Sequence, residues 1–279
     1  MAKTPGTKLY WFLAFIITIA AAYYQRKTGP TYSKDIDITL NGQDYKFEFP
    51  RTHGGVDECP VELEIGDNNI SGKIIFRKYP TNNKWKEIIL KKEDNLLKGH
   101  LPNQPPAGKL EYYIELSTPN ENITLFDNDT VKIRFKGAVP KNILIPHVII
   151  MFLAMLLSNF TGIIAFIKHP KQRLYGRITL VLLFVGGMIL GPFVQFHAFG
   201  EFWTGFPLGW DLTDNKLLVA FIFWFLAVAG NWKKEKPSLT ILAAVMLLLV
   251  YSIPHSMFGS ELDHETGKVI SGMVQFFLF

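Results

Sequence analysis

The sequence predicts an α-helical membrane bundle, one N-terminal span plus four C-terminal spans, with an all-β sandwich inserted after the first span. Three observations predict it. Five apolar runs, Leu9–Tyr24, Ile143–Ile167, Ile178–Phe199, Leu217–Trp232 and Leu239–Ile253, approach the roughly 20 residues of helix that cross a hydrocarbon layer. Between the first run and the rest lies a polar stretch that alternates with period two. The charged breaks between the later runs alternate in sign along the chain.

The first run follows a basic start, Met-Ala-Lys-Thr-Pro-Gly-Thr-Lys. Residues 1–24 are either an uncleaved anchor or a signal peptide cut near Ala20-Ala21-Ala22. Tyr23 and Tyr24 favour the anchor, because paired aromatics suit a membrane interface. Either way the following segment is exported. The break KHPKQRLYGR (168–177) holds Lys168, Lys171, Arg173 and Arg177 and no acid, and KKEK (233–236) holds three lysines and one glutamate. The breaks at 200–215 and 255–268 are net acidic. Positive-inside bias then places the N-terminus and both basic breaks in the cytoplasm, and residues 25–142 and both acidic breaks outside. The expected location is a plasma membrane or a bacterial inner membrane. The net charge of +5 collects at the cytoplasmic edges, so it reflects topology and anionic lipid, not nucleic acid.

Within 32–137, alternating runs are punctuated by turn residues. Ile36–Leu40, Tyr45–Phe49, Val61–Ile65, Ile70–Tyr79, Trp85–Leu90, Leu110–Leu116, Ile123–Phe126 and Val131–Phe135 are the expected strands, with turns at Gly66–Asn69 and Pro80–Asn83. Seven to nine short strands in one domain predict an antiparallel sandwich. The stretch HLPNQPPAGKLEYYIEL (100–116) resembles fibronectin type III-like and other immunoglobulin-like modules, in which a Pro/Gly-rich corner precedes a strand with paired tyrosines. The resemblance implies an immunoglobulin-like fold for 32–137 and implies no activity. Asn69, Asn122 and Asn128 begin glycosylation acceptor triplets, which matter only in a eukaryotic source.

Cys59 is the sole cysteine, so an internal disulfide and a cysteine-built metal cluster are excluded within one chain. Its simplest role is a small buried apolar residue. RTHGGVDECP offers His53, Asp57, Glu58 and Cys59 as metal-ligand types, but its glycines and proline read as a loop between strands.

In the C-terminal half (143–279), His147 opens the second span, His197 closes the third and His255 closes the fifth. Each lies about one membrane thickness from a basic break, so all three are expected near the outer interface. Glu201, Asp211 and Asp214 gather at the same level, and Glu201 would share the face of His197 if that helix continued. Such a His/carboxylate set suits a divalent metal, or the histidines suit a haem iron. Interfacial anchoring is the simpler reading: Trp203, Phe206 and Trp210 resemble interface anchors, and Thr213 or Asp214 can N-cap the fourth span. Against haem, no histidine lies at mid-depth and there is no Cys-x-x-Cys-His. Gly187-Met-Ile-Leu-Gly191 is a small-xxx-small pattern for helix packing, Pro192 predicts a kink, and Asn159 and Thr161 predict helix-to-helix hydrogen bonds. No Gly-x-Ser-x-Gly, phosphate-binding Lys-Ser/Thr loop or His-Glu-x-x-His occurs.

The expected role is therefore a non-catalytic membrane subunit or scaffold. It would bind a protein partner or oligomerise through its exported sandwich and the aromatic loop 197–215, with lipid as its second partner. The alternative is a metal or haem site at His147, His197, Glu201, His255, Asp211 and Asp214. The last stretch, VISGMVQFFLF (269–279), is too short to span and predicts an interfacial or partner-covered tail.

Overall fold

The computed structural model describes residues 6–255 and 259–271. It divides into a unit of helices and a unit of strands, the latter formed by Thr31–Ala138 together with Glu261–Ile270.

The helical unit contains α1 (Lys8–Lys27), α2 (Lys141–Phe166), α3 (Gln172–Phe199), α4 (Leu212–Gly230) and α5 (Pro237–Ser252). Sequence reading predicts five spans; among the described residues α2, α3 and α4 are long and apolar enough to cross a membrane. α5 is apolar but only 16 residues long. The apolar run of α1 is diluted by Tyr23, Tyr24 and Gln25 before its basic last turn, Arg26 and Lys27. α2 packs against α1, α3 and α5, and α4 packs against α3 and α5. The interior is built from small residues around one large one: Ala154, Ala220, Ala227, Ala243 and Ala244 surround the fully buried Trp224. Small residues let helix backbones approach where lipid tails give no hydrophobic drive for association. A Cβ on Gly187 would stand 2.3 Å from Leu217 Cδ1, and one on Gly186 would stand 2.6 Å from Ile150 Cγ2. These glycines are therefore the crossing points of α3 with α4 and α2. Large apolar side chains such as Phe12, Ile149, Phe184, Phe225 and Leu249 face outward.

Polar groups inside the bundle find partners. Asn159 Nδ2 on α2 donates to Thr18 Oγ1 on α1 at 3.0 Å, the expected helix-to-helix bond. Thr161 instead donates within its own helix, to Leu157 O at 2.6 Å. Trp224 Nε1 donates to Ser158 Oγ at 3.2 Å. Around the expected kink, α3 has a π-helical stretch, Leu183–Leu190, just before Pro192. Proline lacks the N–H that a regular ladder needs, and a π-bulge re-spaces the ladder locally.

In the strand unit, β1 (Lys34–Leu40) and β2 (Gln43–Phe49) form a hairpin. Asn41 and Gly42 both adopt positive φ, 48° and 77°, as a two-residue hairpin turn demands. Then follow β3 (Thr52–Gly54), β4 (Cys59–Glu64), β5 (Ser71–Tyr79), β6 (Lys86–Ile89), β7 (Lys91–Glu93), β8 (Leu96–Leu101), β9 (Lys109–Ser117), β10 (Asn122–Leu125) and β11 (Val131–Lys136). One sheet has the order β3-β11-β9-β5-β6, with β10 also on β9; another has the order β4-β8-β7. β3 pairs with β11 in parallel, and the other neighbours described here are antiparallel. Alternate residues point inward from each: Val61 and Leu63 on β4, Leu97 and Leu101 on β8, Tyr112 and Ile114 on β9, Ile133 and Phe135 on β11. They merge into a single core with Phe47 and Phe49 of β2.

β12 (Ser260–Leu262) and β13 (Val269–Ser271) form a short hairpin whose chain returns to the strand unit. Leu262 N donates to Ala107 O at 3.2 Å. Lys109 and Glu261 form an ion pair, and both side chains are largely covered. The stretch read as an outer acidic break therefore completes the strand unit. Residues 272–279 of the apolar tail lie outside the described residues.

Candidate functional site

The residues singled out for chemistry lie at one end of the helical unit, and the local chain explains each position. α3 ends at Gly200, whose φ of 89° is the left-handed conformation that closes a helix, with its N–H on Phe196 O at 2.8 Å. The helix therefore does not continue to Glu201, which leaves the face of His197 and is exposed. His197 sits in the last turn of α3 with its ring edge-on to Phe196.

The loop from Gly200 to Trp210 is organised by one carboxylate. Asp214 is 6% exposed. Its Oδ2 accepts from Thr204 N at 2.6 Å, Gly205 N at 3.1 Å, Gln195 Nε2 at 3.0 Å and Thr204 Oγ1 at 3.3 Å. Beside it, Asn215 Oδ1 accepts from Phe206 N at 2.7 Å. Asp211 N donates to Thr204 O at 3.0 Å and closes the loop at its far end. Trp203 is fixed by its Nε1 donating to Phe206 O at 3.1 Å. A buried carboxylate is tolerated when its lone pairs are filled in this way.

Asp211, not Thr213 or Asp214, is the N-cap of α4. Its carboxylate accepts from Thr213 N at 2.8 Å and Asp214 N at 3.4 Å. α4 therefore starts five residues before the apolar run that sequence reading assigned to it, and it carries Asp214 and Lys216 inside its first two turns. Lys216 is 7% exposed, and its ammonium donates to Ile253 O at 2.7 Å and Pro254 O at 3.3 Å. It thus caps the carbonyls at the end of α5, where a cation is favoured.

His147 lies in the first turns of α2, and its Nδ1 bonds Gly186 O, in the π-helical stretch, at 2.8 Å. Its ring sits 3.8 Å from where a Cβ on Gly191 would stand. His255 follows Pro254, whose carbonyl accepts from Lys216 Nζ at 3.3 Å. The structure thus places Lys216 beside the segment that leads to His255, holds His147 against the π-helical stretch of α3, and gathers Gln195, Thr204 and Asp214. His197 and Glu201 join neither by any described hydrogen bond. Among the described residues, no group of three or more His, Cys, Asp or Glu side chains is placed to hold a metal ion.

What the loop presents outward is aromatic and apolar. Phe202, Phe206, Leu208 and Trp210 are exposed. Phe202 stacks on Phe196 with centroids 4.3 Å apart and meets Phe193 edge-on at 5.7 Å. An aromatic ladder therefore continues from the outer face of α3 onto the loop. Gln195 and Lys216 were not singled out from sequence. For Gln195 the signal was there, since a lone polar residue between Val194 and Phe196 near a helix end needs a partner, whereas Lys216 closes the polar run Thr213-Asp214-Asn215-Lys216 and reads as part of the loop.

In the strand unit, His53 Nε2 lies 3.0 Å from Asp57 O, and His53 belongs to β3 rather than to a loop. Cys59 is 2% exposed and packs in the core, where burial raises its thiol to about 11. A thiol so protected is a poor metal ligand at neutral pH. His100 lies near the end of β8, opposite Pro60.

Comparison with protein-family models finds no match, and comparison with curated proteins finds none either.

Proposed function

We propose that the chain is a multi-pass membrane protein acting as a non-catalytic subunit or scaffold. It binds a protein partner through an extracytoplasmic immunoglobulin-like sandwich and the aromatic loop. The observation that carries this reading is the Asp214-centred loop. Its polar groups are spent on holding the backbone, and its aromatic groups are left facing outward. A rigid loop presenting Phe206 and Trp210 is the composition expected of a binding anchor, since aromatic residues dominate interface energetics.

The immunoglobulin-like part of the proposal is supported by strand order. The orders β4-β8-β7 and β6-β5-β9-β11 correspond to the B-E-D and C′-C-F-G orders of that fold. The orientation rests on the positive-inside pattern, which puts the sandwich and the aromatic loop outside.

The metal or haem reading has one supporting observation. An imidazole whose Nδ1–H is held by a carbonyl, as Gly186 O holds His147, directs its Nε2 lone pair away from that carbonyl. Metal analysis of protein purified in mild detergent separates the two readings. Near-stoichiometric iron, zinc or manganese, lost in a His147→Ala/His255→Ala variant, favours the second.

The scaffold reading is tested by native electrophoresis of solubilised membranes. The wild-type chain should migrate in a complex larger than itself, and Phe206→Ala/Trp210→Ala should release it. Identical migration of wild type and variant as a lone monomer would contradict the proposal.

A further inference from the structure

The opposite end of the helical unit holds a cleft that the proposed function does not use. It lies between the start of α3 and the turn joining α4 to α5, and it is lined by Gln172, Arg173, Gly176, Arg177, Trp224 and Asn231, among others. Gln172 is 1% exposed, yet neither its Nε2 nor its Oε1 has a protein hydrogen-bond partner. The Nε of Arg173 is likewise buried without one, standing 3.6 Å from Glu235 Oε1. Buried amide groups are rarely left so, because an unmade hydrogen bond costs the full desolvation of the group. Asn231, by contrast, is fully engaged, with Ala227 O, Lys236 O, Thr240 Oγ1 and Lys236 N.

The charge around the cleft has one sign. Lys168, Lys171, Arg173 and Arg177 precede or open α3, and Lys233, Lys234 and Lys236 fill the facing turn; Glu235 is the sole acid in these two segments. Arg173 and Arg177 are four residues apart and share a helix face. Arg177 is steadied over the Trp232 ring at 5.0 Å. α3 begins here with no acidic residue in its first turn, so no carboxylate offsets the positive end of the helix; Lys171 N donates to His169 Nδ1 at 3.2 Å and Gln172 N to His169 O at 3.1 Å. Gly176 keeps the floor open, since a Cβ there would press on Trp224 Cζ3 at 3.3 Å. Beyond the cleft, Leu174, Ile178 and Val181 of α3 are exposed and apolar.

We propose that this cleft binds a phosphate group. Arg173 and Arg177 supply charge at its mouth, and the buried Gln172 amide donates a neutral hydrogen bond through the single water that the narrow interior can hold. Phosphate fits because it offers several strong acceptors to a fork of donors. The source favoured by the exposed apolar face is an anionic phospholipid of the adjacent leaflet, whose chains cover Leu174, Ile178 and Val181. This rests on the membrane reading of the helical unit.

The test uses the full chain, delipidated in mild detergent. Its retention of phosphatidylglycerol against phosphatidylcholine is read by native mass spectrometry, with inorganic phosphate as a separate probe read by thermal unfolding. Phosphatidylglycerol should be preferred by about tenfold or more, given two arginine contacts. The preference should vanish in Arg173→Gln/Arg177→Gln and fall in Gln172→Leu. It should survive in Lys168→Gln/Lys171→Gln, which removes equal charge outside the cleft. Stabilisation by inorganic phosphate with the same variant pattern, and no lipid preference, would assign the site to a soluble phosphate. The proposal is overturned if no anion acts, or if the lysine pair matters as much as the arginine pair. A chain that floats with neither lipid in vesicles contradicts the membrane reading, and the lipid source with it.

Discussion

Asp214 illustrates how a charged residue at the edge of an apolar helix is spent on structure. Its carboxylate gathers two backbone N–H groups, a side-chain amide and a hydroxyl, so the loop from Gly200 to Trp210 is held from its centre. Asp214→Ala should leave the N–H groups of Thr204 and Gly205 buried and unpaired, at a cost of about 3 kcal/mol. Asp214→Asn, which keeps one acceptor oxygen, should cost less. Thermal unfolding in detergent and protease cutting within 200–210 would both register the difference; equal stability of wild type and the alanine variant would contradict this role. The residue types at this end of the bundle were legible in the sequence, but their duties were not. Asp211 read as a ligand and Asp214 as a cap or ligand, and only the geometry of α4 shows that Asp211 is the cap. Glu201 would share the face of His197 only if α3 continued, and Gly200 in the left-handed conformation ends it.

Among the elements, periodicity carried most of the information and failed where packing replaced a side chain. β1, β2 and β4 alternate cleanly and were legible, and β5, β9 and β11 were legible too although each buries three successive residues. β8 was not, because its inward positions read Leu97, Gly99, Leu101. A Cβ on Gly99 would stand 2.7 Å from Leu90 Cδ2 and 2.8 Å from Ile74 Cδ1, so the core requires a gap where alternation expects an apolar residue. β3 is three residues long and is fixed by its partner β11, which no local pattern reports. The π-helical stretch of α3 is likewise invisible to composition, though Pro192 marks its neighbourhood. The return of β12 and β13 to the strand unit depends on an ion pair between residues distant in the chain, Lys109 and Glu261. Burial lowers the Lys109 ammonium below the ordinary lysine value, against the opposing pull of Glu261. The unfolded chain then binds the proton more tightly, so stability rises with pH across the interval between the folded value and the ordinary one. Glu261→Gln should cost about 2 kcal/mol near neutral pH, and the deficit should shrink at alkaline pH as Lys109 loses its charge. Unfolding measured from pH 7 to 10.5 would show this; a deficit independent of pH would contradict it.

The whole molecule combines a sheet-built unit with a helical unit whose outward faces are apolar. The helices that meet the length and apolarity of a span number three among the described residues, and the proposal of a multi-pass protein adds α1 and α5 to them. Its central claim is that the strand unit and the aromatic loop share the outer side, while the basic turns, and with them the phosphate cleft, face the cytoplasm. The chain is well suited to the most direct test. Cys59 is its one cysteine, buried and with a thiol raised to about 11, and Cys59→Ala removes it from the background. Single cysteines are then introduced as Asn83→Cys in the strand unit, Leu208→Cys in the aromatic loop and Lys234→Cys in the basic turn. Intact cells are treated with a membrane-impermeant maleimide. The account predicts labelling of Asn83→Cys and Leu208→Cys, and protection of Lys234→Cys until the membrane is opened. Labelling of Lys234→Cys in intact cells, or of Asn83→Cys and Leu208→Cys from opposite sides, would contradict it.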